Sequence, residues 1–375
     1  MSRIGANITL AELEDDPYPA LARLRADEPV AWVPALNMWM LTRWDDVAML
    51  NERGDLFTSA TEPSWLNTVL GVNMLGSTGH EHRRLKDALQ PIFTRSSTGT
   101  WVTDQLPRIC DELIDNFDAS GTDVMTAYAE PIAVRALQDA LAWNNASWQE
   151  IAGWTRGVCT GLANFGNDPA LAAVAASAHH ESGASILEGV VPQLLRCGLS
   201  GDEIVNNIRL CMSGGINEPR DGIALAVWAL LMNPEALAVC SAAEPGDSTP
   251  WRLACEETFR WISPVATATR QTTTDVEIHG VTIPAGSMVA GVISSANRDE
   301  RRWTNGDRFD IHRREGTHMA FSTGAHVCLG AWLGRSTVRV AVQRLFQRRP
   351  DLCLQGGVEV RGFEFRGALA VNVRW

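Results

Sequence analysis

A single cysteine, Cys328, lies between two glycines in the stretch from Phe321 to Gly330. A helical pattern follows it directly, because apolar residues recur at helical spacing from Leu329 to Phe346. The positive end of a helix dipole favours a thiolate there, and glycines let backbone N–H groups approach the sulfur. The stretch therefore indicates a thiolate ligand in a loop that can wrap closely around a flat group. The local pattern alone also allows an inert, buried cysteine.

A second candidate site interrupts a long helical pattern that runs from Ser200 to Met232. Pro219 has no N–H to donate to the carbonyl of Gly215, so the helix is expected to kink or open there. The paired glycines, Gly214 and Gly215, would let a ligand approach the backbone, and Glu218 stands beside them. The pattern indicates a functional groove, and the alternative is a proline-kinked packing helix.

Two further pairs have a spacing that suits charge chemistry. His82 and Lys86 are four residues apart in a helix predicted from Gly79 to about Phe93, so both project from one face. Such a pair suits an anionic carboxylate, and a solvated basic face is the alternative. In a later predicted helix, Glu257 and Arg260 can pair, and the apolar residues around them indicate that the pair is buried.

The elements that position these residues are mainly helical. Helices are predicted over residues 20–26, 44–51, 65–70, 102–117, 128–142, 148–162, 169–176, 186–196, 200–232 and 249–261. Strands are predicted over residues 30–33, 38–41, 267–272, 276–278, 281–283 and 288–293. Ser200 and Glu203 have the spacing of a capping box at the start of the long helix. Because no repeat or linker divides the sequence, we predict one domain over residues 1–375, mainly α with smaller β regions.

Composition narrows the class of function. The 375 residues carry a net charge of −12, with 45% hydrophobic and 20% charged residues, as in ordinary soluble globular proteins. The negative charge argues against nucleic-acid binding. The cysteines show no paired or zinc-like spacing, which indicates reduced thiols and a cytoplasmic location. We expect no leader, membrane anchor or membrane-spanning segment.

Taken together, the motifs resemble those of the cytochrome P450 family, specifically its soluble bacterial class. The loop matches the family signature Phe-x-x-Gly-x-His-x-Cys-x-Gly at Phe321, Gly324, His326, Cys328 and Gly330. Glu257-x-x-Arg260 lies at the expected distance upstream. The stretch from Asp307 to Arg313 is similar to the family's meander, and His82 opens a segment similar to its third helix. The resemblance implies the cytochrome P450 fold, with haem between the long central helix and the helix after Cys328.

The resemblance also implies roles toward haem b, iron protoporphyrin IX. Cys328 is expected to be the axial thiolate on the iron, which favours O–O cleavage, and Phe321 is expected to pack near the sulfur. Gly324 and Gly330 belong to the same haem-binding loop. Four basic residues are expected to bind the haem propionates: His82, Lys86, Arg270 and His326. A buried ion network is expected to support the loop, formed by Glu257, Arg260 and either Arg308 or Arg313.

The long helix departs from the family pattern. The family usually places an acid and then a threonine in the groove, where they deliver protons for dioxygen activation. Here those positions are Asn217 and Glu218, and Pro219 follows. We expect Glu218, with water held by the opened carbonyls of Gly214 and Gly215, to replace the alcohol as proton conduit. The alternative is chemistry that needs less proton delivery, such as oxidative C–C or C–N coupling or the use of peroxide.

By the resemblance, the protein is expected to be a monooxygenase of secondary metabolism that oxidises a small organic substrate, aromatic or natural-product in kind. Its pocket is expected to be mainly apolar with a few polar groups. Plain core packing is the alternative for each candidate contact. The candidates are Trp65, Val69, Leu70, Asn73, Met74, Phe165, Leu210, Ser213, Gly214, Val265, Ala266 and Thr267.

Electrons are expected to come from outside the chain, because it has no flavin or iron–sulfur motif. We expect a monomer that uses O2 and an acidic ferredoxin or flavodoxin with its NAD(P)H reductase, with no nucleic-acid or membrane partner. The docking patch is expected to be basic and to lie on the thiolate side, which predicts strongly salt-dependent reduction. Its expected members are Arg83, Arg84, Arg335, Arg339 and Arg344. A haem-based sensor is less favoured, because no signalling or DNA-binding segment accompanies the haem motifs. The third alternative is a haem-free helical binding protein with an inert Cys328.

Overall fold

The computed structural model describes residues 3–118 and 120–375. Among these residues the α-helices, numbered in chain order, are α1 Leu10–Asp15, α2 Pro17–Asp27, α3 Trp44–Glu52, α4 Trp65–Leu70, α5 Gly79–Leu89, α6 Arg95–Thr100, α7 Leu106–Asp115, α8 Glu130–Leu141, α9 Trp148–Leu162, α10 Pro169–Gly189, α11 Val191–Leu194, α12 Gly201–Met212, α13 Glu218–Met232, α14 Pro234–Ser241, α15 Thr249–Trp261, α16 Ile293–Ala296 and α17 Ala331–Arg348. The β-strands are β1 Val30–Val33, β2 Met38–Leu41, β3 Phe57–Thr58, β4 Thr122–Asp123, β5 Thr267–Thr272, β6 Val276–Ile278, β7 Val281–Ile283, β8 Met288–Val292, β9 Cys353–Leu354, β10 Val360–Arg361, β11 Gly367–Ala368 and β12 Asn372–Arg374.

Helix starts follow local capping chemistry. The Asp16 side chain accepts from the Tyr18 N–H at the start of α2, where Pro17 occupies the first turn. The predicted capping box of Ser200 and Glu203 is present at the start of α12. The predicted bounds of α4, α9, α15 and the hairpin strands β1 and β2 agree with the structure. Local capping residues and apolar spacing therefore predict the bounds of these elements correctly.

The helix α10 differs from the prediction of two separate pieces. The segment from Ser177 to Ser185 is polar and rich in small residues, so it lacks an apolar stripe. Small residues are what its packing against α9 requires: a Cβ at Gly157 or Gly161 of α9 would lie within 2.6 Å of Ala178 or 2.5 Å of Ala175 respectively. Close helix packing therefore stabilises one continuous helix where the apolar periodicity fails.

The long helix opens between α12 and α13, as the sequence predicts. A π-helical turn over Ser213–Asn217 joins the two helices. Pro219 lies in the first turn of α13, where the missing N–H removes a regular helical hydrogen bond. A π turn widens the helix and is often found at functional sites. The opening therefore exposes helix backbone to a neighbouring cavity.

The strands form small sheets beside a large helical core. The main sheet has five strands in the order β1-β2-β8-β5-β3, with β2 and β8 parallel and the other neighbours antiparallel. The main apolar cluster includes Val227 and Leu230 of α13 with Val338 and Val342 of α17, all fully buried. The mainly α fold with smaller β regions is thus confirmed.

Among the described residues, no single helix is long and apolar enough to cross a bilayer. One bent pair, Gly201–Met232 with Pro234–Ser241 at 105°, meets the length and composition limits when both parts are taken together.

Candidate active site

A cavity of about 440 Å³ lies between the Cys328 loop, α5, β5 and the opened helix. Apolar side chains make up most of its lining. Cys328 is exposed, and it contributes surface to this cavity. His82 of α5, Arg270 of β5 and Glu218 of α13 line the same space. The structure therefore brings together residues that are up to 246 positions apart in the sequence, from 82 to 328.

The backbone of the Cys328 loop is fixed by two residues with positive φ. Ser322 has φ 59° and Gly324 has φ 68°. A Cβ at Gly324 would lie 2.6 Å from the carbonyl oxygen of Asn51, so a side chain cannot fit there without movement. The Cys328 N–H donates to the Phe321 carbonyl at 2.9 Å, which closes the loop just before α17. The thiol is therefore held at the N-terminus of a helix, as predicted.

The cations Arg335 and Lys86 act on the Cys328 thiol, and Arg335 also contacts the aromatic ring of Phe321. Burial raises the pKa of the Cys328 thiol, while the Gly330 N–H and the cations Arg335 and Lys86 act in the opposite direction. The Arg335 guanidinium lies 3.7 Å from the centre of the Phe321 ring. Phe259 packs edge-to-face on the same ring at 5.1 Å. Phe321 is thus fixed at the start of the Cys328 loop by Arg335 and Phe259, and its packing against the sulfur stays a prediction.

Arg335 is itself anchored by residues that the sequence analysis missed. Its Nε donates to Glu256 at 2.8 Å, and Glu256 also lies 3.0 Å from His318 Nε2. The only local signal for this contact was the doubled acid Glu256-Glu257 on α15. Adjacent residues on a helix point in different directions. Glu256 therefore binds Arg335 and His318, whereas Glu257 binds Arg260.

The four predicted propionate ligands form one cluster of basic residues, in which Lys86 and Arg270 are the cations. The His82 and His326 rings lie 4.0 Å apart between centroids. The Lys86 Nζ donates to the carbonyls of Ala325 at 2.8 Å and Val327 at 2.9 Å, which leaves one ammonium N–H unused. Lys86 therefore joins α5 to the Cys328 loop through two hydrogen bonds, and it also lines the cavity.

Burial and mutual repulsion disfavour the charged forms of this cluster. Burial lowers the pKa of Arg270 to about 10 and that of His326 to about 3, and for His326 the charges of Arg270, His82 and Lys86 add to the effect. Within the described chain, Arg270 donates only to the Thr269 carbonyl, and no carboxylate forms an ion pair with any of the four residues. The cluster therefore lacks compensating negative charge, and the two carboxylates of haem would supply it.

Across the cavity, the opened helix presents Glu218. Its Oε2 is buried and has no hydrogen-bond partner in the part of the chain that the structure describes. Burial raises the pKa of Glu218 to about 8, and the neighbouring carboxyls of Asp221 and Glu364 add to the shift while Arg220 opposes it. Gly214 and Gly215 line the cavity beside it. A carboxyl in this state holds a proton at neutral pH and has a free oxygen with which to exchange it.

Asn217 does not share this position, which corrects the prediction that it faces the groove. Its Oδ1 accepts from Arg220 Nη2 at 2.6 Å, and its Nδ2 lies 3.4 Å from Asp221 Oδ2. Asn217 is buried in this polar network and does not line the cavity. The π turn adds a residue to the helical turn, so the side-chain register changes just before Glu218.

The predicted ion network is present on α15. Both Glu257 carboxylate oxygens accept from Arg260, from Nη2 and Nε at 2.7 Å each. Arg313 Nε donates to the same carboxylate at 3.2 Å. Of the two alternatives, Arg313 therefore supplies the second cation, whereas Arg308 takes part through its carbonyl, which accepts from Arg260 at 3.0 Å.

The candidate substrate contacts divide into two groups. Those that line the cavity are Trp65, Met74, Phe165, Leu210, Ser213, Gly214, Val265 and Thr267. Those that are buried elsewhere are Val69, Leu70, Asn73 and Ala266. Val69 packs against Gly161 of α9, and Ala266 belongs to the apolar cluster around α2. These side chains are core packing, which was the alternative.

The cavity also has walls that the sequence analysis did not assign. Glu364 and Phe365 come from the C-terminal hairpin loop between β10 and β11. Ser59 Oγ lies 2.9 Å from His326 Nε2 and lines the cavity. An acid between two phenylalanines, Glu364 between Phe363 and Phe365, is an unusual local pattern that could have marked it as a functional residue. The pattern does not show which part of the protein the loop contacts.

The expected basic patch is largely neutralised. Arg84 pairs with Glu81 at 2.7 Å and also with Glu203, and Arg335 pairs with Glu256. Arg344 makes two hydrogen bonds to Asp111, at 2.6 and 2.5 Å. Arg339 donates to Gln343, while Arg83 is exposed. Counting arginines along the sequence therefore overstates the positive charge of this surface.

The fold, the Cys328 loop and the basic cluster of His82, Lys86, Arg270 and His326 are the features expected of a haem-thiolate protein. The family model "Cytochrome P450" matches residues 252–349. The chain is 30% identical to the cytochrome P450 monooxygenase PikC of Streptomyces venezuelae, over 96% of this chain and 91% of that protein. It is 28% identical to the epothilone C/D epoxidase of Sorangium cellulosum, over 96% and 92% respectively. The ligand-free structure of the cytochrome P450 TbtJ1 superposes with a TM-score of 0.86 at 27% identity, over 96% of this chain and 98% of that one.

The chain belongs to the cytochrome P450 family. It is an oxidoreductase of the kind found in bacteria, and its cofactor is haem. It uses a small-molecule substrate, O2 and an electron-transfer partner. Cys328 is the residue that would ligate the iron, and the cluster of His82, Lys86, Arg270 and His326 would hold the propionates.

Proposed function

We propose that the protein is a monooxygenase that oxidises a small, mainly apolar organic substrate, aromatic or natural-product in kind. The observation that carries the proposal is one cavity lined by both a helix-terminal cysteine and a partnerless buried acid, Cys328 and Glu218. The haem, when bound, supplies the activation of dioxygen. The reaction places one oxygen atom in the substrate and releases the other as water, so it consumes two electrons and two protons. Relatives named as a monooxygenase and an epoxidase support this class of reaction.

Glu218 is proposed to hold and pass the protons. Its buried carboxyl is protonated at neutral pH, because burial raises its pKa to about 8. No hydroxyl stands at the next position, since Pro219 follows. The carboxyl therefore takes the place of an alcohol as general acid, with its free Oε2 as the donor atom.

The electron source is proposed to be a ferredoxin or flavodoxin with its NAD(P)H reductase, acting on a monomer in the cytoplasm. All eight cysteines are free, as expected in a reducing compartment. Since ion pairs neutralise Arg84, Arg335 and Arg344, we expect only a shallow fall of the reduction rate with added salt. The rate measured by stopped-flow between low and high salt checks this expectation.

The haem-thiolate assignment is tested by spectroscopy. The reduced, carbon-monoxide-treated protein should show the red-shifted Soret band of thiolate-ligated haem, and Cys328→Ser should abolish it. A haem sensor with another ligand, or a haem-free binding protein, would not show this band. A normal band in the Cys328→Ser variant would contradict the assignment of Cys328.

The proton role is tested by coupling. In Glu218→Ala, product formed per NADH oxidised should fall about tenfold or more, because a general acid commonly contributes a factor of about 10²–10⁴. Glu235→Ala, at an exposed position on α14, is the matched control and should leave coupling unchanged. Unchanged coupling in Glu218→Ala would contradict the proposal that Glu218 delivers the protons. Labelled dioxygen tests the alternatives to monooxygenation, because a product without label would indicate oxidative coupling or the use of peroxide.

A further inference from the structure

The acid Glu364 is held rigidly at the cavity wall. It lies in the hairpin loop between β10 and β11, and its carbonyl accepts from the Ala266 N–H at 2.9 Å. The Arg366 N–H donates to the Pro264 carbonyl at 2.9 Å, and Val265 pairs with Phe365 in an antiparallel bridge. These bonds fix the loop on both sides of Glu364, so its side chain is presented to the cavity from a fixed backbone.

Among the described residues, the Glu364 carboxyl has one hydrogen-bond donor and no counter-ion. Thr267 Oγ1 donates to Oε2 at 2.7 Å. In residues 3–118 and 120–375, no basic side chain lies within ion-pair distance of it. Burial raises the pKa of Glu364 to about 7, and the nearby Glu14 carboxyl adds to the shift while the Thr267 hydrogen bond opposes it. The carboxyl has lost water without gaining a positive partner, which is costly for a charged group.

The rest of the cavity does not supply that partner. Its basic residues are His82, Lys86, Arg270 and His326, and these are the cluster that would bind the haem propionates. The other titratable acid of the wall is Glu218, which has an oxygen without a hydrogen-bond partner and supplies no positive charge. The haem-filled cavity would therefore retain an apolar space with two carboxyls and no cation of its own.

We propose that Glu364 is the counter-ion for a positively charged group on the substrate, so that the substrate is an apolar body bearing one ammonium group. The proposal rests on the proposed function, because it assigns the substrate class of the same cavity. Thr267 orients the carboxylate, and the apolar lining excludes the water that would otherwise screen the charges. A preformed, dry carboxylate selects a cation over a neutral molecule of the same shape.

A matched pair of probes isolates the charge. (2-Naphthylmethyl)trimethylammonium carries a permanent positive charge, and 2-neopentylnaphthalene is its neutral carbon isostere. The quaternary nitrogen has no lone pair, so it cannot bind the iron and imitate a substrate contact. Dissociation constants are measured on the holoenzyme by calorimetry and, independently, by the spin-state shift of the haem spectrum.

The wild-type protein should bind the cation at least about tenfold more tightly than the isostere, since truncating a buried charge pair commonly costs more than a factor of ten. Glu364→Gln, which keeps the side-chain shape, should remove this preference without changing the affinity for the isostere. Glu277→Gln, at an exposed position on β6, should retain it. Equal binding of the two probes by the wild type, or a preference that survives in Glu364→Gln, would overturn the proposal.

The outcome separates this inference from the proposed function. A normal carbon-monoxide band without preference for the cation would overturn the ammonium site and leave the haem-thiolate assignment intact. A calorimetric preference that depends on Glu364, in a protein without that band, would support the ammonium site and contradict the proposed function.

Discussion

Replacing Glu257 by alanine should destabilise the protein far more than removing an exposed charge. Glu257 and Arg260 are 5% and 2% exposed. The five guanidinium N–H groups of Arg260 are all used: two on Glu257 and three on the carbonyls of Asn297, Gly306 and Arg308. The carboxylate also accepts from the Asp310 N–H at 2.9 Å. One acid thus joins α15 to the segment 297–313.

The magnitude follows from what the substitution leaves behind. Glu257→Ala removes four hydrogen bonds and leaves two N–H groups of Arg260 buried without partners, with an uncompensated charge. Breaking a buried ion pair from one side costs about 3–5 kcal/mol. Domains are commonly stable by about 5–15 kcal/mol, so much of the folding free energy is lost.

Urea unfolding of the holoprotein, followed by the haem absorbance and by circular dichroism, measures the loss. Asp55→Asn is the control, because its partner Arg53 and Asp55 itself are 51% and 62% exposed and such pairs stabilise little. We expect a large fall in the urea midpoint for Glu257→Ala and no measurable change for Asp55→Asn. Equal midpoints for the two variants would refute the structural role assigned to the network.

Two further predictions concern the loop and the opened helix. Gly324→Ala should lower the free energy of unfolding by about 1–3 kcal/mol and reduce haem content, because the position has φ 68° and a Cβ would meet the Asn51 carbonyl. Gly99→Ala, a helix position with open space around its Cβ, should leave both unchanged or slightly raised; the same small effect at both glycines would contradict the loop argument. Glu218 has its pKa raised from 4.5 to about 8, so the folded state is penalised as pH rises from 4.5 to 8, and no penalty exists below that window. Glu218→Gln should therefore be more stable than wild type by about 2–4 kcal/mol at pH 8, and the two should converge near pH 4.5. Parallel urea midpoints across this pH range would show that the carboxyl is not desolvated.

Sequence reasoning failed where side-chain direction depends on packing. Asn217 and Glu218 are neighbours in the helix, yet Glu218 lines the cavity and Asn217 joins Arg220 and Asp221 in a buried network. A regular 3.6-residue extrapolation cannot follow a π turn, because the extra residue rotates everything after it. The prediction that Val69 and Leu70 line the cavity was wrong for a related reason. The sequence of a short apolar helix does not show which of its side chains face the core and which face a pocket.

The sequence by itself determined the parts of the protein that rest on local chemistry. The capping box of Ser200 and Glu203, the missing N–H of Pro219 and the spacing around Cys328 act within a few residues, so they can be read from the chain. Only the tertiary structure decided which groups meet at the cavity. Glu364 reaches Thr267 across 97 positions, and no periodic pattern records such a contact because it depends on how the hairpin loop packs. The buried acid that is left without a counter-ion, on which the proposed substrate class rests, is therefore a property of the folded protein alone.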